Sequence, residues 1–170
     1  MNIEPIFIKK FCYTKTADVN FLPPLIRRKL SNLDKYAITA MDKVYSEDVE
    51  EIIFASKLGE SDRLNKIISQ YKEMNEVSPT QFSASVHNYP VGFFTLYEKI
   101  NIPYFALSAG EKTFQNGFLE AVISNYNNVM FVYAENDFAV SCIISKTFGT
   151  LKIINIPESV EDFVKIMENA

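Results

Sequence analysis

The side chain best placed for chemistry in this sequence is Glu111, which follows Ala109 and Gly110 where the apolar run from Pro103 to Ser108 turns into a helix. A helix start favours an ionised carboxylate, so Glu111 is a candidate general base; its quieter alternative is a helix-capping carboxylate. His87, the chain's one histidine, precedes Asn88 at another helix entrance and is the second candidate, although a lone His more often serves as a hydrogen-bonding cap. Ser83, Ser85 and Ser108 have no His and carboxylate at triad-like positions, which sets a serine hydrolase aside. Cys12 and Cys142 sit in strand-like stretches without the close spacing of a redox or zinc pair, so two free, buried thiols and no metal are expected. Neither a His nor a helix start adjoins Cys12 to activate it. Arg27, Arg28 and Lys29 are the one basic cluster, either a solvated turn or a contact for a phosphate or acidic surface. The aromatic series Phe93, Phe94, Tyr97, Phe114 and Phe118 either lines an apolar channel or fills a core.

These residues must be held by an alternation of strands and helices. Residues 3–13 are rich in β-branched and aromatic types and read as a first strand. A short helix follows Leu22-Pro23-Pro24. Ser31 and Asp34 form a capping box that opens a second helix, with Leu33, Tyr36, Ala37, Ala40, Met41 and Val44 on one face. Residues 51–56 read as a buried strand. Leu64, Ile67, Ile68 and Tyr71 then recur at helical spacing behind an acidic start, and residues 78–100 are apolar on nearly all sides, as in a helix covered by several neighbours. Residues 103–108 read as a third buried strand, followed by a helix with Phe114, Gly117, Phe118, Ala121 and Val122 on one side. Residues 128–134 give a fourth strand. Residues 138–148 and 151–156 read as two strands joined through Gly149, and a helix capped near Ser159 turns Val160, Phe163, Val164 and Met167 inward. The fold class expected is α/β: three layers, α/β/α, around a mixed, mostly parallel sheet with right-handed crossovers and an antiparallel strand addition.

At 170 residues, 48% of them hydrophobic and 22% charged, the chain has the balance of one globular domain over 1–170. A net charge of -4 leaves no electrostatic footprint for nucleic acid. With no apolar run of membrane-spanning length and no signal-peptide core, neither a membrane nor export is expected, and the place expected is the cytoplasm. No motif calls for a cofactor.

Four stretches in order, from Arg27-Arg-Lys-Leu-Ser through Ile52-Ile-Phe-Ala-Ser56 and Phe82-Ser-Ala-Ser-Val-His-Asn88 to Tyr104-Phe-Ala-Leu-Ser-Ala-Gly-Glu111, resemble the N-terminal half of β-ketoacyl synthases. With Leu22-Pro-Pro-Leu-Ile-Arg-Arg28, the resemblance covers residues 20–125. It is strongest to β-ketoacyl synthase-like N-terminal domains, also called chain length factors, of aryl polyene and flexirubin-type pathways. It implies a half-thiolase-like fold and places the nucleophile elbow at Ala109, Gly110 and Glu111.

A condensing synthase needs a Cys thiolate there, lowered in pKa by the helix start. None of the three elbow residues supplies one. The family's two further catalytic residues, two His or a His and an Asn, belong to its C-terminal half, which the chain is expected to lack. The resemblance therefore implies a non-condensing accessory protein, a homo- or hetero-oligomer that associates with a condensing enzyme and/or an acyl carrier protein, or with itself. Asn88, Ser108, Phe114, Phe118, Arg27 and Arg28 are the candidate contacts. In the thiolase fold the helix after the elbow is shared between halves, so apolar surface around Phe114, Phe118 and Val122 is expected to need cover from an oligomeric partner. Two alternatives stand beside this reading: a small acyl-thioester decarboxylase or hydrolase using Glu111 or His87, and an acyl-binding module.

Overall fold

The computed structural model describes residues 5–169. Strand β1 (Ile6–Thr14) is followed by helices α1 (Pro24–Arg27) and α2 (Asn32–Val44), and then by β2 (Glu51–Ala55). Helices α3 (Ser61–Met74), α4 (Pro79–Ser83) and α5 (Tyr89–Glu98) lead to β3 (Tyr104–Leu107), a 3-10 turn (Gly110–Lys112) and α6 (Thr113–Ile123). The chain ends with β4 (Asn128–Ala134), β5 (Ala139–Ser145), β6 (Leu151–Ile153) and α7 (Val160–Glu168). Residues 3 and 4 of the expected first strand lie outside the described residues.

The strands form one mixed sheet in the order β3-β2-β4-β5-β1-β6. β2 pairs in parallel with β3 and with β4, while β4–β5, β5–β1 and β1–β6 are antiparallel. The three-layer α/β/α arrangement expected from the sequence is present, with antiparallel pairing holding more of the sheet than "mostly parallel" implies. The expected joining of β5 and β6 as a hairpin through Gly149 is corrected: both pair with β1, one on each side of it. Local turn chemistry suggested a neighbour pair, but a nonlocal strand entered between them.

Each face of the sheet carries its own core. On one side Ile52, Phe54, Met130, Val132 and Ile143 pack against α2 and α5; on the other Ile53, Ala55, Phe131, Cys142 and Ile144 pack against α6 and α7. Period-two alternation places successive residues on opposite faces. In β1 that phase changes at a bulge between Ile8 and Lys10, so Ile6 and Ile8 share a core with Phe11 rather than with Cys12. Helix α2 begins with the expected capping box: Ser31 Oγ accepts from Asp34 N (3.0 Å) and Asp34 Oδ2 accepts from Ser31 N (2.8 Å). It buries Leu33, Ala37, Ala40, Met41 and Val44 as its periodicity requires.

Three expectations about burial are corrected. Helix α3 buries only Ile67, and Leu64, Ile68 and Tyr71 are exposed, because α3 lies beside the layers rather than on a sheet face. Residues 78–100 form two helices, α4 and α5, with a break at residues 84–88, and Leu96 is 82% exposed. β3 is an edge strand with Tyr104 39% and Phe105 48% exposed; an apolar run alone does not distinguish an open edge from a central strand.

A strand-to-helix elbow without a free base

The parallel strands β2 and β3 end side by side, and the loops leaving them meet. Ser56 N donates to Leu107 O (3.3 Å), Ser108 Oγ donates to Lys57 O (3.0 Å), and Lys57 N donates to Glu135 Oε1 (2.6 Å). This is the end of an α/β sheet where loops can present side chains together.

Glu111 does not cap α6. It lies in the 3-10 turn before that helix, largely exposed, and its carboxylate pairs with the Lys57 ammonium. The hydroxyl that closes the elbow belongs to Thr113, which accepts from Ala109 N (2.8 Å) and donates to Gly110 O (2.7 Å). Gly110 turns the chain with a φ of 59°. Ser108, Ala109, Gly110, Glu111 and Lys112 are all exposed, so the elbow offers a surface and not an enclosed reaction chamber.

His87 is not a helix cap either. Its Nε2–H donates to Leu107 O (3.0 Å), since a carbonyl can only accept, and its ring lies against Phe54. The other ring nitrogen faces Gly59, where a Cβ would come within 2.4 Å of Nδ1. Gly59 also has φ 54°, so this position requires glycine on two counts. With one nitrogen bonded and the other packed over backbone, His87 joins the loop after β2 to the end of β3; it presents no free base to the elbow. Asn88 Nδ2 reaches Tyr104 Oη at 3.5 Å, next to the exposed edge.

Phe114 and Phe118 are core residues, correcting their reading as contacts for a partner. They are 5% and 0% exposed, and Phe163 of α7 packs on both, at centroid separations of 6.0 and 5.2 Å. The apolar surface expected around Phe114, Phe118 and Val122 is therefore covered within the chain. Cys12 and Cys142 are free and buried, and burial raises both thiol pKa values.

Arg27 donates to Asn20 Oδ1 (2.6 Å) and, with Arg28 and Lys35, lines a shallow hollow of about 400 Å³. Arg28 also borders a wider, polar hollow of about 960 Å³ between α3, α4 and the turn before α2. Beside this lies a buried group that sequence reasoning missed beyond the capping box. Asp34 and Glu60 both bond to Arg63 (2.6 Å each), whose guanidinium also lies 5.3 Å from the Tyr89 ring centroid. Its signal was the lone Arg63 one turn into α3; nothing local revealed its distant partner Asp34. Among the described residues, no group of three or more His, Cys, Asp or Glu is placed to hold a metal ion, and no helix is long and apolar enough to cross a membrane.

The mixed sheet with flanking helices agrees with the sequence comparison. Residues 9–139 match the family described as "Beta-ketoacyl synthase, N-terminal domain", a span of more than half the chain. The chain belongs to that family. The β-ketoacyl synthase-like chain also shares its fold with a solved structure described as the ketosynthase ApeO in complex with its chain length factor ApeC, from Xenorhabdus doucetiae. The match has a TM-score of 0.74 at 22% identity, covering 82% of this chain and 78% of that one. Among curated proteins, none matches.

Proposed function

We propose that this β-ketoacyl synthase-like chain is a non-condensing accessory protein that binds a condensing enzyme, in the manner of a chain length factor. The observation that carries the reading is the open edge of β3. Its outer backbone groups face no further strand, its sequence Tyr-Phe-Ala-Leu carries no charge, and Tyr104 and Phe105 are exposed beside it. Exposed apolar edge strands invite pairing with another chain, and proteins commonly blunt them with charge or cover. The opposite edge, β6, is only three residues long and carries Lys152. β3 is also short but carries no charge, and its exposed Tyr104 and Phe105 support coverage by a partner.

Two further observations support the assignment. The elbow holds Ala109, Gly110 and Glu111 where acyl transfer would need a thiolate. The similar shares covered in the structural match indicate that the matched chain is close to this one in length, and its complex pairs a ketosynthase with a chain length factor. A carrier protein is the finer part of the proposal: Arg27, Arg28 and Lys35 offer cations to an acidic surface or phosphate. The cytoplasm, a role in aryl polyene-type biosynthesis, a single domain over 1–170 and a hetero-oligomeric state complete the reading.

Affinity purification from the native cell followed by mass spectrometry tests it. Recovery of a full-length condensing enzyme supports the accessory role. Recovery of this chain alone, with turnover of an acyl or malonyl thioester, would replace it with the enzymatic alternative.

A further inference from the structure

Two buried carboxyls, Asp34 and Glu60, face one guanidinium where the first turns of α2 and α3 meet. Asp34 is 0% exposed and Glu60 5%. Asp34 Oδ2 accepts from Ser31 N (2.8 Å) and Arg63 Nη2 (2.6 Å). Glu60 Oε1 accepts from Ser31 Oγ and Oε2 from Arg63 Nε, both at 2.6 Å. Asp34 Oδ1 is then the one carboxyl oxygen of the pair without a partner, and it is buried.

Two buried carboxylates beside one cation cannot both stay charged without a large desolvation and repulsion cost. A proton on Asp34 Oδ1 removes one of those charges. It also turns the orphan oxygen from a buried, unpaired charge-bearing acceptor into a neutral hydroxyl. We infer that Asp34 keeps a proton beside Glu60 and Arg63, and that this proton keeps the start of α3 moored to the start of α2.

Burial first, and the neighbouring Glu60 charge second, push the Asp34 carboxyl up to about 7, against the pull of the Ser31 amide and Arg63. The groups facing it are Arg63 and Glu60 at the start of α3, Ser31 in its own cap, and Tyr89 from α5, whose phenol is raised by burial and by Asp34. Arg63 further reaches Lys29 O at 3.4 Å. The mooring matters because α3 has little other hold on the core, burying only Ile67. Ionising Asp34 sets a second negative charge against Glu60 and loosens α3 together with the adjoining Lys57–Gly59 loop. This inference stands apart from the proposed partner and is tested without one.

The direct test follows the Asp34 carboxyl carbon by NMR from about pH 4 to about pH 9, together with the methyl resonances of Leu64, Ile67 and Ile68. The expected midpoint is about 7, in place of the usual 3.8, with the α3 methyls shifting at the same pH. In Asp34→Asn the methyl titration disappears. In Glu60→Gln, which tests the point even if the first variant does not fold, the Asp34 midpoint falls. An Asp34 midpoint in the ordinary carboxylate range, or α3 methyls indifferent to its titration, would overturn the inference.

Discussion

The rings of Phe118 and Phe163 meet at 5.2 Å between centroids, inclined by 61°, and both side chains are fully buried. Helix α7 thus closes over α6 and completes the second core within the chain. Removing either ring should cost about 3–5 kcal/mol, the range for deleting a buried Phe. Denaturant unfolding of Phe118→Ala and Phe163→Ala checks this. A loss under about 1 kcal/mol in both would show that α7 does not seal this core.

Gly59 and His87 form the second coupled pair. Gly59→Ala places a methyl into the His87 ring and strains a left-handed backbone, with an expected loss of about 1–3 kcal/mol. Combining it with His87→Ala should give less destabilisation than the sum of the two single changes, because the clash partner is gone. Additive losses would mean that the ring and the glycine do not meet.

Stability should also depend on pH through Asp34. Its folded-state pKa is raised above the ordinary 3.8 to about 7, so the folded chain binds the proton more tightly than the unfolded one. That contribution is fully present below about pH 4 and is lost as pH rises through about 7. Against Asp34→Asn, wild-type stability should therefore fall across this window, by no more than ~1.4 kcal/mol per pH unit for one proton. Chemical denaturation of both proteins across the window reads the difference; parallel curves would contradict the raised value.

Much of this was legible in the sequence where local chemistry decides. The Ser31–Asp34 box, the α6 stripe ending at Val122 and the Ser159 cap of α7 all depend on nearby residues. The failures are nonlocal. Gly149 suggested a hairpin, but β1 lies between β5 and β6. Tyr104 to Leu107 had the apolar content of a buried strand, and only the sheet order shows it at an edge. In the site, the elbow position was readable from the run into Glu111, whereas the engagement of His87 by Leu107 O and Gly59 required the fold.

Glu111 provides the test of residual chemistry. As an exposed partner of Lys57, its change to Gln should alter stability by less than about 0.5 kcal/mol. Assays with malonyl- and acyl-carrier thioesters should show no turnover that depends on this residue. Turnover lost in Glu111→Gln would establish the hydrolase or decarboxylase alternative.

The most direct measurement is hydrogen–deuterium exchange of residues 104–107, alone and with a full-length condensing enzyme from the same cell, for the wild type and Phe105→Lys. The account predicts a complex in which the β3 amides gain protection, and loss of both complex and protection in the variant. A complex that leaves β3 exchanging freely, or that forms equally well with Phe105→Lys, would contradict docking through this edge; no complex at all would contradict the accessory role.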